Sequence, residues 1–284
     1  MSKTGLILEG GGMRGAYTAG ALSVLAENNI RCPYNVGMSI ASIYLCAYLS
    51  GNTELMRYLS VNCAGEKGIV GIRALFSEGN LVAYDHLFER LKNYEKPLDI
   101  EKLKSIPEEV EFGVYDLVKG QTEWIGKDRI EEDLLYFRAA CTLPFYAKKV
   151  NIHGTDYMDG GLTTMIPVFH AQEKGCDRFV VITTKPGDYV RKPYGKPVQA
   201  LLKAMYPESP GLIRDIRERT VYYYNERDFI ENAVKKNKCF YMFPTRPSKV
   251  SRFGGSEEAL AEFYEMGRED MQARKDELVE FLHG

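Results

Sequence analysis

Leu6-Ile7-Leu8-Glu9-Gly10-Gly11-Gly12-Met13-Arg14-Gly15 and, further on, Tyr34-Asn35-Val36-Gly37-Met38-Ser39-Ile40-Ala41 decide how this chain folds. The first stretch is a short aliphatic strand running into a glycine-rich loop. Ala16, Ala19, Leu22, Val24 and Leu25 then recur at near-helical spacing until Glu27-Asn28-Asn29. The second stretch is another strand, running into Ser39 between small residues. Ile40 to Leu49 follows without a charge and reads as a buried helix ended by Gly51-Asn52. Strand, loop and helix, twice in succession, predict a βαβα beginning and a mainly parallel sheet covered on both faces.

Outward from this start the chain reads as one α/β domain over residues 1–284, since such domains commonly reach roughly 200–250 residues. Residues 5–170 form its core, and 171–284 supply remaining strands, a lid-like segment and C-terminal helices. From Thr53 to Ile106 the pattern is mostly helical. Val110 to Val118 and Glu123 to Ile125 flank Lys119-Gly120 as a hairpin, and Ile130 to Cys141 reads as a helix. Strands are expected to end at Asp159 and to cover Phe179 to Ile182 and Cys239 to Phe243. Residues 186–214 mix prolines, glycines and charges and suggest a surface excursion or lid. Glu257 to Leu282 is a long amphipathic helix.

An apolar fraction of 45% supports a sizeable core, and a net charge of −2 gives no general attraction to nucleic acid. Lys148-Lys149, Arg191-Lys192 and Lys235-Lys236 with Lys238 read as solvated faces, the functional alternative being contact with anionic lipid head groups. The six cysteines contain no C-x-x-C pair, which argues against disulfides and structural zinc and for a reducing compartment. Glu9 interrupts any secretory apolar core. The uncharged stretch from Cys32 to Thr53 contains Pro33, Asn35 and Gly37 and reads as strand, turn and helix rather than a membrane span. Ile69 to Phe76 and Leu201 to Leu212 fit either core or membrane contact.

The glycine loop has several readings. Gly10, Gly12 and Gly15 fit G-x-G-x-x-G, but a dinucleotide site needs an acidic residue near the end of the second strand. No Asp or Glu lies between Glu27 and Glu54. A P-loop would need Gly-Lys-Ser/Thr, which does not follow. The loop also serves as a packing turn, or as an oxyanion hole of backbone amides near Gly11 and Gly12, with Arg14 orienting it or stabilising negative charge. Ser39 is correspondingly a helix cap or a nucleophile on a sharp strand-to-helix turn. Gly37 satisfies the crowding two positions before it; Ala41 stands where glycine is usual.

A nucleophilic serine needs a base. His86, His153, His170 and His283 read as surface or satisfied histidines, and Ser39 comes too early in the chain for the α/β-hydrolase order of strands. Asp159, in Tyr157-Met158-Asp159-Gly160-Gly161, ends a strand before two glycines. Its unperturbed pKa of about 3.9 is low for a base, and desolvation would raise it.

These residues together resemble the patatin-like phospholipase family. Gly10 to Gly15 matches its G-G-G-x-R-G loop and Asp159 to Gly161 its D-G-G/A motif. Gly37 to Ala41 matches its G-x-S-x-G elbow except at Ala41. Ala140 to Phe145 is similar to its A-S-x-x-x-P segment, and the likeness spans residues 5–170. The resemblance implies a three-layer α/β/α fold and a Ser39–Asp159 dyad without histidine. It also implies an oxyanion hole at Gly10, Gly11, Gly12 and Arg14, with Gly15, Gly37, Ala41, Gly160 and Gly161 shaping the turns. No metal or cofactor is expected. The implied activity is hydrolysis of lipid esters, of the phospholipase A, lysophospholipase or esterase kind, by a cytoplasmic protein that at most touches a membrane surface. A transacylase or thioesterase on the same scaffold is the alternative, and Ala41 is the support for a lipid-binding protein of weak turnover.

Overall fold

The computed structural model describes residues 2–284. The chain opens with β1 (Thr4–Leu8), α1 (Gly15–Glu27), β2 (Tyr34–Met38) and α2 (Ala41–Leu49). Four short helices follow: α3 (Thr53–Arg57), α4 (Ile72–Glu78), α5 (Tyr84–Lys92) and α6 (Ile100–Ser105). The hairpin β3 (Glu109–Asp116) and β4 (Gln121–Gly126) leads to α7 (Leu135–Cys141), β5 (Val150–Ile152) and β6 (Thr155–Asp159). Then come α8 (Val168–Glu173), β7 (Arg178–Ile182), α9 (Lys196–Met205), α10 (Pro210–Lys235), β8 (Cys239–Met242) and α11 (Glu257–His283).

All eight strands join one sheet, in the order β5-β6-β3-β2-β1-β7-β8, with β4 on the other edge of β3. The pairings β1–β2, β1–β7, β2–β3 and β7–β8 are parallel, and those among β3, β4, β5 and β6 are antiparallel. Successive strand residues face opposite sides. Leu6 and Leu8 pack with α1, α2 and α11, whereas Ile7 packs with Val181, Tyr223 and Ile230 beneath α8 and α10. This gives the three-layer α/β/α arrangement. Each fully buried aliphatic side chain in these layers stabilises by about 1.5–3 kcal/mol relative to exposure.

One register brings distant residues together. β4 pairs with β3 from Glu111 to Asp116 and so occupies one edge along that whole length. β2 and β6 must therefore share the other edge, meeting end to end. Met38 lies opposite Gly113 and Asp159 opposite Val114, which are consecutive residues of β3. The end of β2, immediately before Ser39, thus abuts the end of β6, which is Asp159.

Two elements differ from the sequence expectation. The helix expected over 130–141 begins only at Leu135. Leu134 has φ +60°, and the Asp133 carboxylate accepts the Leu135 N–H at 3.0 Å, a local bond that competes with helix formation. The segment 186–214, expected as an excursion or lid, contains α9 and the start of α10, and Leu202, Tyr206 and Leu212 are buried against Tyr115 and Met158. α10 itself runs for 26 residues. It is hard to see in the sequence because its inward face mixes Leu212, Ile216, Tyr223 and Ile230 with Asp215, Arg219 and Glu226. All six cysteines are buried thiols.

Candidate active site

Ser39 occupies the turn between β2 and α2, with φ +58°, a conformation unusual for a residue with a side chain. Its carbonyl accepts from the Ser42 N–H at 3.0 Å and the Ser42 hydroxyl at 2.6 Å, which ties the turn to the first turn of α2. The turn is so tight that a Cβ at Gly37 would lie 3.0 Å from the Ala41 carbonyl group. Ala41 itself is buried at the start of α2 in right-handed helical backbone, where alanine is the best helix former. The departure from glycine at this position therefore leaves the elbow intact.

The glycine loop passes directly beside Ser39. A Cβ on Gly10 would stand 2.9 Å from the Ser39 Cβ. The Gly10 N–H donates to the Met165 carbonyl at 3.3 Å and the Met13 N–H to the Arg252 carbonyl at 3.0 Å. The N–H groups of Gly11 and Gly12 have no acceptor among the described residues. Arg14 donates from Nε to the Val250 carbonyl at 3.4 Å, tying the loop to the C-terminal part of the chain. Its guanidinium is not in the wall of the Ser39 cavity. Gly15 starts α1 against Ile40 and Tyr44 of the following elbow and helix.

Asp159 is 2% exposed. Its carboxylate accepts the Gly161 N–H at 2.8 Å, and its own N–H donates to the Thr142 carbonyl at 2.8 Å, within the Ala140 to Phe145 segment. Burial pushes its carboxyl up to about 6. The hydrogen bond from the Gly161 amide, the neighbouring Ser39 hydroxyl, and the nearby Arg219 and Arg252 oppose a larger rise. Gly160 packs on the Gly113 backbone beneath the junction of β2 and β6.

Ser39 lies where two cavities meet. Gly10, Gly11, Gly12, Ser39, Asp159 and Gly161 line a polar cavity together with Arg191, Arg219 and Arg252. An apolar slot opens from the other side of Ser39, walled by Ile43, Tyr44, Leu59, Val82, Leu87 and Phe88. No histidine lines either space. His170 stacks on Trp124 at 3.8 Å and pairs with Glu111 at 2.8 Å, His86 pairs with Glu66, and His153 stands on the β5–β6 turn.

Sequence reasoning passed over most of the surrounding charged groups. Glu9 is fully buried under the loop, pairs with Lys185 and accepts from the Thr184 N–H at 2.7 Å. Burial alone would raise its pKa, but Lys185 and the Thr184 amide hold it below the usual carboxylate range; burial in turn drags Lys185 down to about 8. Glu226 of α10 accepts from the Met165 and Ile166 N–H groups at 3.1 and 3.0 Å, and so braces the segment that holds Gly10. Arg219 of α10 donates to the Gly161 carbonyl at 2.8 Å. Arg191, expected on a solvated face, is only 7% exposed and lines the Ser39 cavity. The only sequence signal for these groups is charge within otherwise apolar or helical stretches.

A serine on a strand-to-helix elbow of a parallel sheet, beside a glycine loop, defines an α/β protein of the patatin-like architecture. The chain belongs to the patatin-like phospholipase family, whose model matches residues 6–171. Residues 209–283 match a second model, described as a domain of unknown function (DUF6363). The chain is 26% identical over 275 residues to the uncharacterized protein YjjU of Escherichia coli (strain K12), covering 93% of this chain and 74% of that protein. Among solved structures it is similar to VipD from Legionella pneumophila (TM-score 0.49, 11% identity), over 98% of this chain and 67% of the other. It is also similar to the type III effector protein ExoU of Pseudomonas aeruginosa (TM-score 0.38, 12% identity), over 97% of this chain and 53% of the other. The chain thus spans about half the length of ExoU.

Proposed function

We propose that the protein is a serine acylhydrolase acting on carboxylic esters of lipids, through a Ser39–Asp159 dyad and an oxyanion hole in the glycine loop. The observation that carries this reading is the meeting of Ser39, the unpaired Gly11 and Gly12 amides and a buried carboxylate in one cavity, beside an apolar slot. Ser39 Oγ attacks the ester carbonyl while Asp159 takes its proton. The Gly11 and Gly12 N–H groups donate to the oxyanion of the tetrahedral intermediate. Arg14 acts on this loop from outside the cavity. Asp159 returns the proton to the departing alcohol, and water releases the acyl group by the same steps in reverse. An acyl chain in the slot would hold the carbonyl at Ser39.

Ile72 and Phe76 of α4 are 69% and 85% exposed, next to Ile69 and Val70 of the slot wall. This supports entry of the acyl chain from a lipid surface. No helix among the described residues is long and apolar enough to cross a membrane. We read residues 1–284 as a single domain, because β7, β8 and α11 complete the sheet and layer that residues 5–170 begin.

The test is fluorophosphonate labelling together with hydrolysis of a soluble p-nitrophenyl ester. Wild type is expected to label and turn over, and Ser39→Ala to do neither. Equal turnover by Ser39→Ala would sink the assignment. Mass analysis of a labelled phospholipid reaction, with and without added alcohol, separates hydrolysis from transfer to another acceptor.

A further inference from the structure

Four consecutive amides of the glycine loop divide into an outer pair and an inner pair. The outer N–H groups are bonded: Gly10 donates to the Met165 carbonyl at 3.3 Å and Met13 to the Arg252 carbonyl at 3.0 Å. The inner two, those of Gly11 and Gly12, have no acceptor among the described residues. Both outer bonds lead to residues 209–283, the stretch that matches a domain of unknown function.

On the Gly10 side the link runs through one peptide plane. The Ile166 N–H and the Met165 carbonyl belong to the same trans peptide and point in opposite directions. Glu226 accepts that N–H at 3.0 Å, while Gly10 donates to that carbonyl. Glu226 is buried, and there such a chain of hydrogen bonds is stronger than it would be in water.

On the Met13 side the acceptor sits on a short hairpin turn. The Ser251 N–H donates to the Gly254 carbonyl at 2.7 Å, Val250 is buried in the core, and Phe253 stacks on Tyr146 at 3.9 Å. Gly12 has φ +58°, and a Cβ on it would collide with the Arg252 carbonyl oxygen, so only glycine lets the loop approach this turn so closely. Behind the loop, α11 lies against α1, the helix that the loop starts. The Tyr17 hydroxyl donates to Asp270 at 2.9 Å, and Gly20 and Gly267 meet the Tyr264 and Tyr17 carbonyls with no room for a Cβ.

We infer that residues 209–283 form the positioning frame of the oxyanion loop. Glu226 and the Arg252 carbonyl fix the amides on either side of Gly11 and Gly12, and so keep the two free N–H groups in place for a developing oxyanion. Through these bonds neither residue touches the reacting atoms, and both act by positioning. The inference deepens the acylhydrolase reading and rests on it for any effect on turnover, while the holding of the loop can be measured without turnover.

Two changes cut the two links separately. Glu226→Ala removes the acceptor behind the Met165–Ile166 peptide, and Glu226→Gln keeps one acceptor oxygen. Incorporating the α-hydroxy analogue of methionine at position 13 turns the Met13 amide into a backbone ester, which removes one N–H and leaves every side chain in place. With a soluble p-nitrophenyl ester, Glu226→Ala and the backbone-ester protein should each lower kcat by about tenfold or more, with KM within about twofold of wild type, because a displaced oxyanion donor weakens the transition state alone. Glu226→Gln should recover part of the loss. Hydrogen exchange of the amides of residues 9–15, read by mass spectrometry, should quicken in both altered proteins while that of β2 stays at the wild-type level. The backbone-ester protein carries the test alone if Glu226→Ala does not fold. Unchanged kcat, or unchanged exchange of the loop, would overturn the frame and leave the acylhydrolase reading in place. A loss confined to KM would also overturn it, assigning these residues to substrate binding. Quickened loop exchange, in a protein whose wild type neither labels with fluorophosphonate nor hydrolyses the substrate, would support the frame and remove the acylhydrolase reading.

Discussion

Residues 6–171 and residues 209–283 meet at the same cavity but bring different things to it. The first region supplies Ser39, Asp159 and the glycine loop, positioned by backbone geometry: a positive φ, a two-strand junction on β3 and amides left unpaired. The second supplies Arg219, Glu226 and Arg252, which reach the site through side chains and one carbonyl. The proposed reacting atoms are thus built on tight turns, while the field around them comes from a long helix and a late loop. Geometry of the first kind tolerates few residue types. Electrostatics of the second kind can be met from many places in a chain, so the two regions should respond differently to substitution.

The sharpest test of this contrast is at Asp159. On the proposed mechanism, Ser39→Ala and Asp159→Asn should each lower kcat for a soluble ester by about 10³-fold or more. Stability should move the other way in Asp159→Asn. The folded-state pKa of about 6 lies above the unfolded value, so the folded protein holds the proton more tightly. The resulting stabilisation is full below the unfolded pKa and is lost as pH rises through about 6. At pH 7 the ionised carboxylate is therefore a burden of about 1–3 kcal/mol that asparagine relieves. Thermal unfolding of both proteins at pH 7 and pH 4 reads this directly. A lower melting temperature for Asp159→Asn at pH 7 would contradict the burial argument.

Beneath the loop, Glu9 joins the two kinds of contribution, being a motif neighbour that acts through charge. Glu9→Gln leaves Lys185, itself 2% exposed, without its partner and should cost about 3–5 kcal/mol. Adding Lys185→Met should recover much of the loss. Urea denaturation of the single and double variants measures this coupling, and independent, additive losses would mean that the pair does not hold the loop from below.

The contrast also explains what could be read in the sequence. The βαβα beginning, the hairpin, the parallel sheet and the three motifs were legible because each depends on spacing of glycines and apolar residues within a few positions. Asp159 was legible as a candidate base from its place at a strand end before two glycines, and the resemblance paired it with Ser39. The physical cause of their adjacency, two strands meeting end to end on one edge of β3, involves residues over a hundred positions apart. α10 was not legible because Asp215, Arg219 and Glu226 interrupt its buried stripe. Arg191 was misread as solvated because the rings and cavity that enclose it come from other segments.

A smaller effect tests the electrostatic side alone. If Asp159 is the base, kcat/KM for a neutral ester should rise with pH through about 6, increasing roughly tenfold from pH 5 to pH 7, because the ionised form takes the proton. Arg219→Gln removes a cation that favours that ionised form and should move the midpoint upwards. An unmoved midpoint would confine Arg219 to holding the Gly161 carbonyl.

The smallest expected effect lies at Ala41. Its backbone is helical, its methyl is buried, and the tight contact in this turn falls on Gly37 rather than on residue 41. Restoring the usual glycine by Ala41→Gly should therefore cost about 0.5–1 kcal/mol of stability, the ordinary penalty of glycine in a helix. Turnover should stay within about threefold of wild type, since the Ser39 carbonyl is held by the Ser42 N–H and hydroxyl, bonds that do not involve the Ala41 methyl. Gly37→Ala, by contrast, drives a methyl into the α2 backbone and should lose both stability and activity. If Ala41→Gly instead raised kcat by an order of magnitude, the methyl would be acting on Ser39 after all, and the elbow would be more sensitive on its helix side than these contacts imply.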